Sequence, residues 1–306
     1  MSKKERRVSK KYAKRYFNTV GLFLVLYTLF VLILPYFFHT YLQIQESSIL
    51  NDNILYFGIY FIILTLGTFI PFFMMRLYFK VDSKKFNRNV SATFGDLFIQ
   101  TIVCFTICLG LTYVSNIIFS RLGLEAKLLA SIGLSYTESF LKEPLYVFML
   151  LIVTPILEEY AFRGVLLNTL GKFGKSFGLY ASALFFALAH MYFSEMIPAF
   201  AMAVILGKIS YRYRSIKPTI LIHILFNLLI YIMCIIPQGV TKYMAYVITA
   251  IFILSIYLIL SGRYEQIRIQ RTRSNRTTNI MFYSSFGIIL ALLLMIFGSI
   301  LFLFNI

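Results

Sequence analysis

The chain has 306 residues, of which 59 % are apolar and only 13 % charged, against roughly 25 % charged in ordinary soluble domains. That balance excludes a water-soluble globular protein and places the chain in a lipid bilayer. The formal net charge of +17 does not call for a nucleic-acid partner, because the basic residues fall between the apolar stretches, where the positive-inside rule puts them. Cys104, Cys108 and Cys234 all lie within apolar stretches, which supports neither a disulfide framework nor a thiolate zinc cluster.

A helix needs about 20 apolar residues to cross ~30 Å of hydrocarbon. In chain order, such windows predict spans over 17–38, 54–78, 97–119, 145–170, 177–191, 196–210, 218–236, 243–260 and 280–304, the fifth and sixth being short. The first is a full span with no small-residue cleavage site after it, so it is expected to stay as a membrane helix rather than leave as a signal peptide. Basic clusters occupy alternate loops: Lys3 to Arg15, Lys80 to Arg88, Lys172 and Lys175, Arg212 to Lys217, and Arg263 to Arg276. This alternation predicts a cytoplasmic N-terminus and an external C-terminus. The expected fold class is all-α, a polytopic transmembrane helical bundle of eight to nine spans in a cell membrane. Polar chemistry divides it into a basic tail with three flanking helices (1–144), a working core (145–237) and two C-terminal helices (238–306).

Ionisable groups at membrane depth are costly and usually paired or functional, and the core holds nearly all of them. In "PILEEYAFRG" (155–164), Glu159 and Arg163 are spaced i, i+4 and can pair on one helix face. Glu158 is turned about 100° away, with Phe162 as its i+4 neighbour, so along the helix one carboxylate is tethered and the other free. Pro155 removes a backbone donor just before them and can kink the helix. "FALAH" sets Phe186 and His190 one turn apart, and "HILFN" does the same for His223 and Asn227. Ala199, Ala203 and Gly207 form a small-residue stripe that lets helices approach closely.

Counting 1.5 Å of rise per residue puts Glu158, His190 and Asn227 at roughly 18, 20 and 14 Å from the cytoplasmic ends of their spans, and His223 shallower at about 8 Å. The inventory suits hydrolysis of a peptide bond: Glu158 with His190 as general base on a water, His223 and Asn227 as donors to the oxyanion. It equally suits a zinc site of His190, His223 and Glu158 with an open position. Spacing alone leaves both open.

These three motifs resemble, in order and spacing, the EExxxR, FxxxH and HxxxN motifs of the CPBP family, the CAAX-protease and bacteriocin-processing intramembrane endopeptidases. The resemblance covers 145–237. It implies a conical intramembrane active-site cavity, water activated by the first glutamate (Glu158) and the second-motif histidine (His190), and an oxyanion held by His223 and Asn227, with Glu159 and Arg163 in support and Phe186 against the substrate pocket. It also implies a hydrolase often described as a metalloprotease, so zinc is the one cofactor it suggests. The cationic, lipid-rich sequence points to a bacterial membrane and to a peptide precursor or membrane protein as substrate. A proton-coupled transporter would call for matching halves with broken helices, which the sequence lacks. The alternative is a non-catalytic scaffold or a bacteriocin immunity or regulatory protein that binds a partner.

Overall fold

A computed structural model describes residues 3–44, 53–82, 93–122, 144–235, 241–262 and 276–304. Among them there is no strand, and the chain is a bundle of helices. Helix α1 (Lys3–Thr28) runs through a π-helical stretch, Leu29–Ile33, into α2 (Leu34–Ile44). Then come α3 (Asn53–Tyr78), α4 (Phe94–Arg121) and a composite helix that carries the first motif. That helix is α5 (Pro144–Phe148), a π stretch Met149–Val153, α6 (Thr154–Glu158), a second π stretch Glu159–Leu166, and α7 (Leu167–Leu170). The chain continues with α8 (Lys175–Leu188), α9 (Phe193–Tyr213), α10 (Lys217–Ile235), α11 (Thr241–Leu260), α12 (Arg276–Tyr283) and α13 (Phe286–Phe304).

Each of the nine apolar windows holds a helix among the described residues, but they are not equal. Lys10–Tyr41, Gly58–Tyr78, Phe94–Arg121, Pro144–Phe173 and Phe193–Tyr213 are long and apolar enough to cross a membrane. The last expected span is instead a pair, α12 and α13, bent by 62°. Counting that pair gives six among the described residues, fewer than the eight to nine expected from hydropathy. The physical reason is clearest in α8, whose 14 residues rise only about 21 Å. Its neighbour α9, expected to be short, has 21 residues and starts three residues earlier than hydropathy suggests. The basic stretch 263–275 lies outside the described residues.

In lipid, helices associate through close packing rather than through a hydrophobic drive, and the small residues sit where that requires. Ala199, Ala203 and Gly207 are buried in α9, and a Cβ on Gly207 would strike Leu179 of α8. The tightest crossing joins the two ends of the chain. A Cβ on Gly21 of α1 would run into the carbonyl carbon of Gly287 in α13, and one on Gly287 into the carbonyl oxygen of Asn18. The Gly287 N–H donates to the Asn18 side-chain oxygen at 3.3 Å. Gly287→Leu should therefore force the helices apart and cost at least about 1–3 kcal/mol. This would be read as a lowered unfolding temperature in detergent; an unchanged temperature would contradict the crossing.

The flanks reach the core through aromatic rings. Phe17 of α1 lies 4.6 Å from Phe173, 5.9 Å from Phe177 and 5.2 Å from Phe282, centroid to centroid. Farther along α1, Tyr27 meets Phe72 of α3 at 5.3 Å and Phe162 at 5.8 Å. The N-terminal helix is thus part of the wall around the first motif.

Candidate active site

The composite helix is wound wide where it carries the glutamates, and proline explains how that begins. Thr154 N–H bonds back five residues to Met149 O. The next donor in that register would be residue 155, but proline has none, so the Leu150 carbonyl is left open. Asn227 of α10 donates its side-chain N–H to it at 2.9 Å. Later carbonyls are held in the same manner. Ser182 of α8 donates to Phe162 O at 3.0 Å, and Asn168 donates to Arg163 O at 2.9 Å and Gly164 O at 2.8 Å. Side chains from three elements so stabilise a π conformation that is rare and concentrated at functional sites.

Glu159 is the centre of the buried polar network. It is fully buried, and its Oε1 lies 2.7 Å from Arg163 Nη1 and 2.9 Å from His223 Nδ1. Thr219, one turn before His223 on α10 and also buried, stands beside the same carboxylate. The Arg163 guanidinium lies over the Phe186 ring at 4.1 Å, a cation–π contact that is stronger where water is excluded. Phe186 also touches Phe162 (5.2 Å), His190 (4.8 Å) and His223 (6.1 Å). At 1 % exposure this ring is enclosed by protein groups and packs the site together.

Glu158 differs from its neighbour as the spacing predicts. Its side chain is 21 % exposed, and Oε2 lies 3.7 Å from His223 Nε2, beyond a direct hydrogen bond. His223 thus stands between the two glutamates, one ring nitrogen on each. Because a carboxylate only accepts, Nδ1 donates to Glu159 and the neutral ring keeps its lone pair on Nε2, towards Glu158. The depth count put His223 on the cytoplasmic side of the cluster; the fold instead brings it into the centre, because helices are tilted and offset and rise alone does not set where side chains meet.

His190 is not inside a helix. Helix α8 stops at Leu188, His190 N–H bonds to Ala187 O at 3.1 Å, and Met191 takes φ 60°. That early turn leaves the Phe186 carbonyl without its usual donor, and His190 Nδ1 donates to it at 2.9 Å. The ring is fixed in the tautomer that leaves Nε2 bare. Electrostatically it interacts with Glu158, His223 and Arg163.

The fold therefore gathers Glu158, Glu159, Arg163, Phe186, His190 and His223, while Asn227 holds the backbone of the glutamate helix with one of its two N–H groups. Sequence reasoning missed Thr219, Ser182 and Asn168. Thr219 had a signal, since Thr219, His223 and Asn227 recur at i, i+4, i+8; the other two serve a helix winding that periodicity does not announce. As a zinc site the donors are chemically suitable, each histidine having a bare Nε2. Among the described residues, however, no three His, Cys, Asp or Glu side chains converge closely enough to share an ion, so the geometry does not fit a metal as it stands.

Comparison with known proteins finds that residues 140–229 match the family model described as Type II CAAX prenyl endopeptidase Rce1-like. This segment, which contains all the motif residues, thus carries an Rce1-like domain of a protease family, and the apolar helices make the chain a membrane protein. No curated protein and no solved structure matches the chain.

Proposed function

We propose, from the Rce1-like domain at 140–229 and the network around its two glutamates, that the protein is an intramembrane endopeptidase of CPBP type. The observation that carries this reading is the contrast within one pair: Glu159 is buried and neutralised, while the adjacent Glu158 is partly exposed and faces an imidazole nitrogen at 3.7 Å. One carboxylate builds the site and the other works in it.

Glu158 takes a proton from water as its oxygen attacks the scissile carbonyl, with the bare Nε2 of His190 as a second acceptor for that water. His223, anchored through Nδ1 on Glu159, presents Nε2 to the same space; once that nitrogen takes up a proton from solvent, the resulting imidazolium donates to the tetrahedral oxyanion, together with the Asn227 N–H that Leu150 leaves unused. As the intermediate collapses, the C–N bond breaks and Glu158 returns its proton to the leaving amine. Arg163 balances the charge of Glu159 and holds Phe186 against both imidazoles. The substrate is a peptide precursor or membrane protein, and the basic loops orient the chain with its N-terminus in the cytoplasm of a bacterial cell.

No step runs through a metal. The test is cleavage of internally quenched peptides, one farnesylated at a C-terminal Cys-aliphatic-aliphatic-X sequence and one unmodified, by the full chain in proteoliposomes. Metal analysis and exhaustive chelation accompany it. Activity is expected to survive chelation. Stoichiometric zinc, with activity lost on removal and restored by zinc, would overturn the metal-free mechanism and make Glu158, His190 and His223 the ligands.

A further inference from the structure

We propose that the hydroxyl of Tyr27, on helix α1 and outside the matched segment, is a hydrogen-bond donor to the substrate held against Glu158. The inference rests on the reading of Glu158 given above. The phenol ring is 2 % exposed and lies edge-on to Phe72 and Phe162. Phe162 is four residues after Glu158, so Tyr27 covers the helix face from which Glu158 projects. The Tyr27 phenol and the Glu158 carboxylate interact electrostatically.

A buried tyrosine ordinarily finds a partner for its O–H. Tyr16 of the same helix does so, donating to Thr169 O at 3.2 Å. Among the described residues the Tyr27 hydroxyl makes no such bond. It is a donor held by its ring against Phe72 and Phe162, within electrostatic reach of the proposed base, without a protein acceptor among the described residues. Its direction of approach is also new to the site. Helix α10, which supplies His223 and Asn227, packs on α4, α6 and α9, whereas α1 packs on α3 and α13. A peptide lying between these walls would meet His223 and Asn227 on one flank and the Tyr27 hydroxyl on the other. Its backbone carbonyl groups are the acceptors that a phenol donor recognises.

The test compares wild type, Tyr27→Phe, Tyr16→Phe and Glu158→Gln as full-length chains in proteoliposomes, using whichever quenched peptide the wild type cleaves. Tyr27→Phe keeps the ring packing and should unfold at the wild-type temperature, yet lose about tenfold to a hundredfold in kcat/KM. Tyr16→Phe, which removes a structural bond, should instead lower the unfolding temperature with kcat/KM per folded molecule unchanged. Wild-type kcat/KM in Tyr27→Phe, or a loss matched by its loss of folded protein, would overturn the proposal while Glu158→Gln remained inactive. Full activity in Glu158→Gln would overturn the reading of the base itself, so the two failures are distinguishable.

Discussion

Glu158→Gln is expected to abolish cleavage while leaving the amount of folded protein unchanged. Glutamine keeps the shape of the side chain and its hydrogen-bonding oxygen but cannot take a proton from water. Loss of a positioned general base costs typically 10²–10⁴ in rate, and more where the same group also delivers the proton to the leaving amine. The fold should tolerate the change, because Glu158 is partly exposed and the imidazole nitrogen it faces, His223 Nε2, is 3.7 Å away. No buried charge loses its partner. Turnover of a quenched peptide, measured alongside thermal unfolding of the purified protein, checks both halves; wild-type turnover would refute the mechanism.

Its neighbour should behave in the opposite way. Glu159→Gln removes the one anion in contact with both Arg163 and the Nδ1 of His223. Arg163 is fully buried and stacked on Phe186, and it would be left as an uncompensated charge. Breaking a buried pair from one side costs about 3–5 kcal/mol, a large part of the ~5–15 kcal/mol that holds an ordinary domain together. Low abundance and a depressed unfolding temperature are the expected result. Removing both charges at once, in Glu159→Gln with Arg163→Met, should restore much of the abundance, since neutral replacement of a buried pair is often harmless. Activity should stay low in that double variant, because His223 no longer has a carboxylate to fix its ring and tautomer. If the double variant recovered full turnover, Glu159 would be a packing device with no hold on the chemistry.

These two predictions separate residues that sit side by side in the chain, and the sequence alone already distinguished them. Apolar length placed the chain in a membrane, and the cost of charge at depth made Glu158, Glu159, Arg163, His190 and His223 conspicuous. The i, i+4 spacing paired Glu159 with Arg163 and left Glu158 apart, as the 2.7 Å ion pair bears out. Such inferences succeed because they concern one helix at a time, where periodicity fixes which side chains share a face. What lies between helices depended on tertiary structure. His223 and Glu159 are 64 residues apart, and no count of rise could show that one imidazole would stand between both glutamates, because azimuth and offset are set by packing. Local winding was equally hidden: α8 stops before His190, and the glutamate helix opens into π turns whose free carbonyls are filled by Asn227 and Ser182 from other helices and by Asn168 from its own last turn. Only the packing of α1 sets the Tyr27 ring against Phe162 of the glutamate helix.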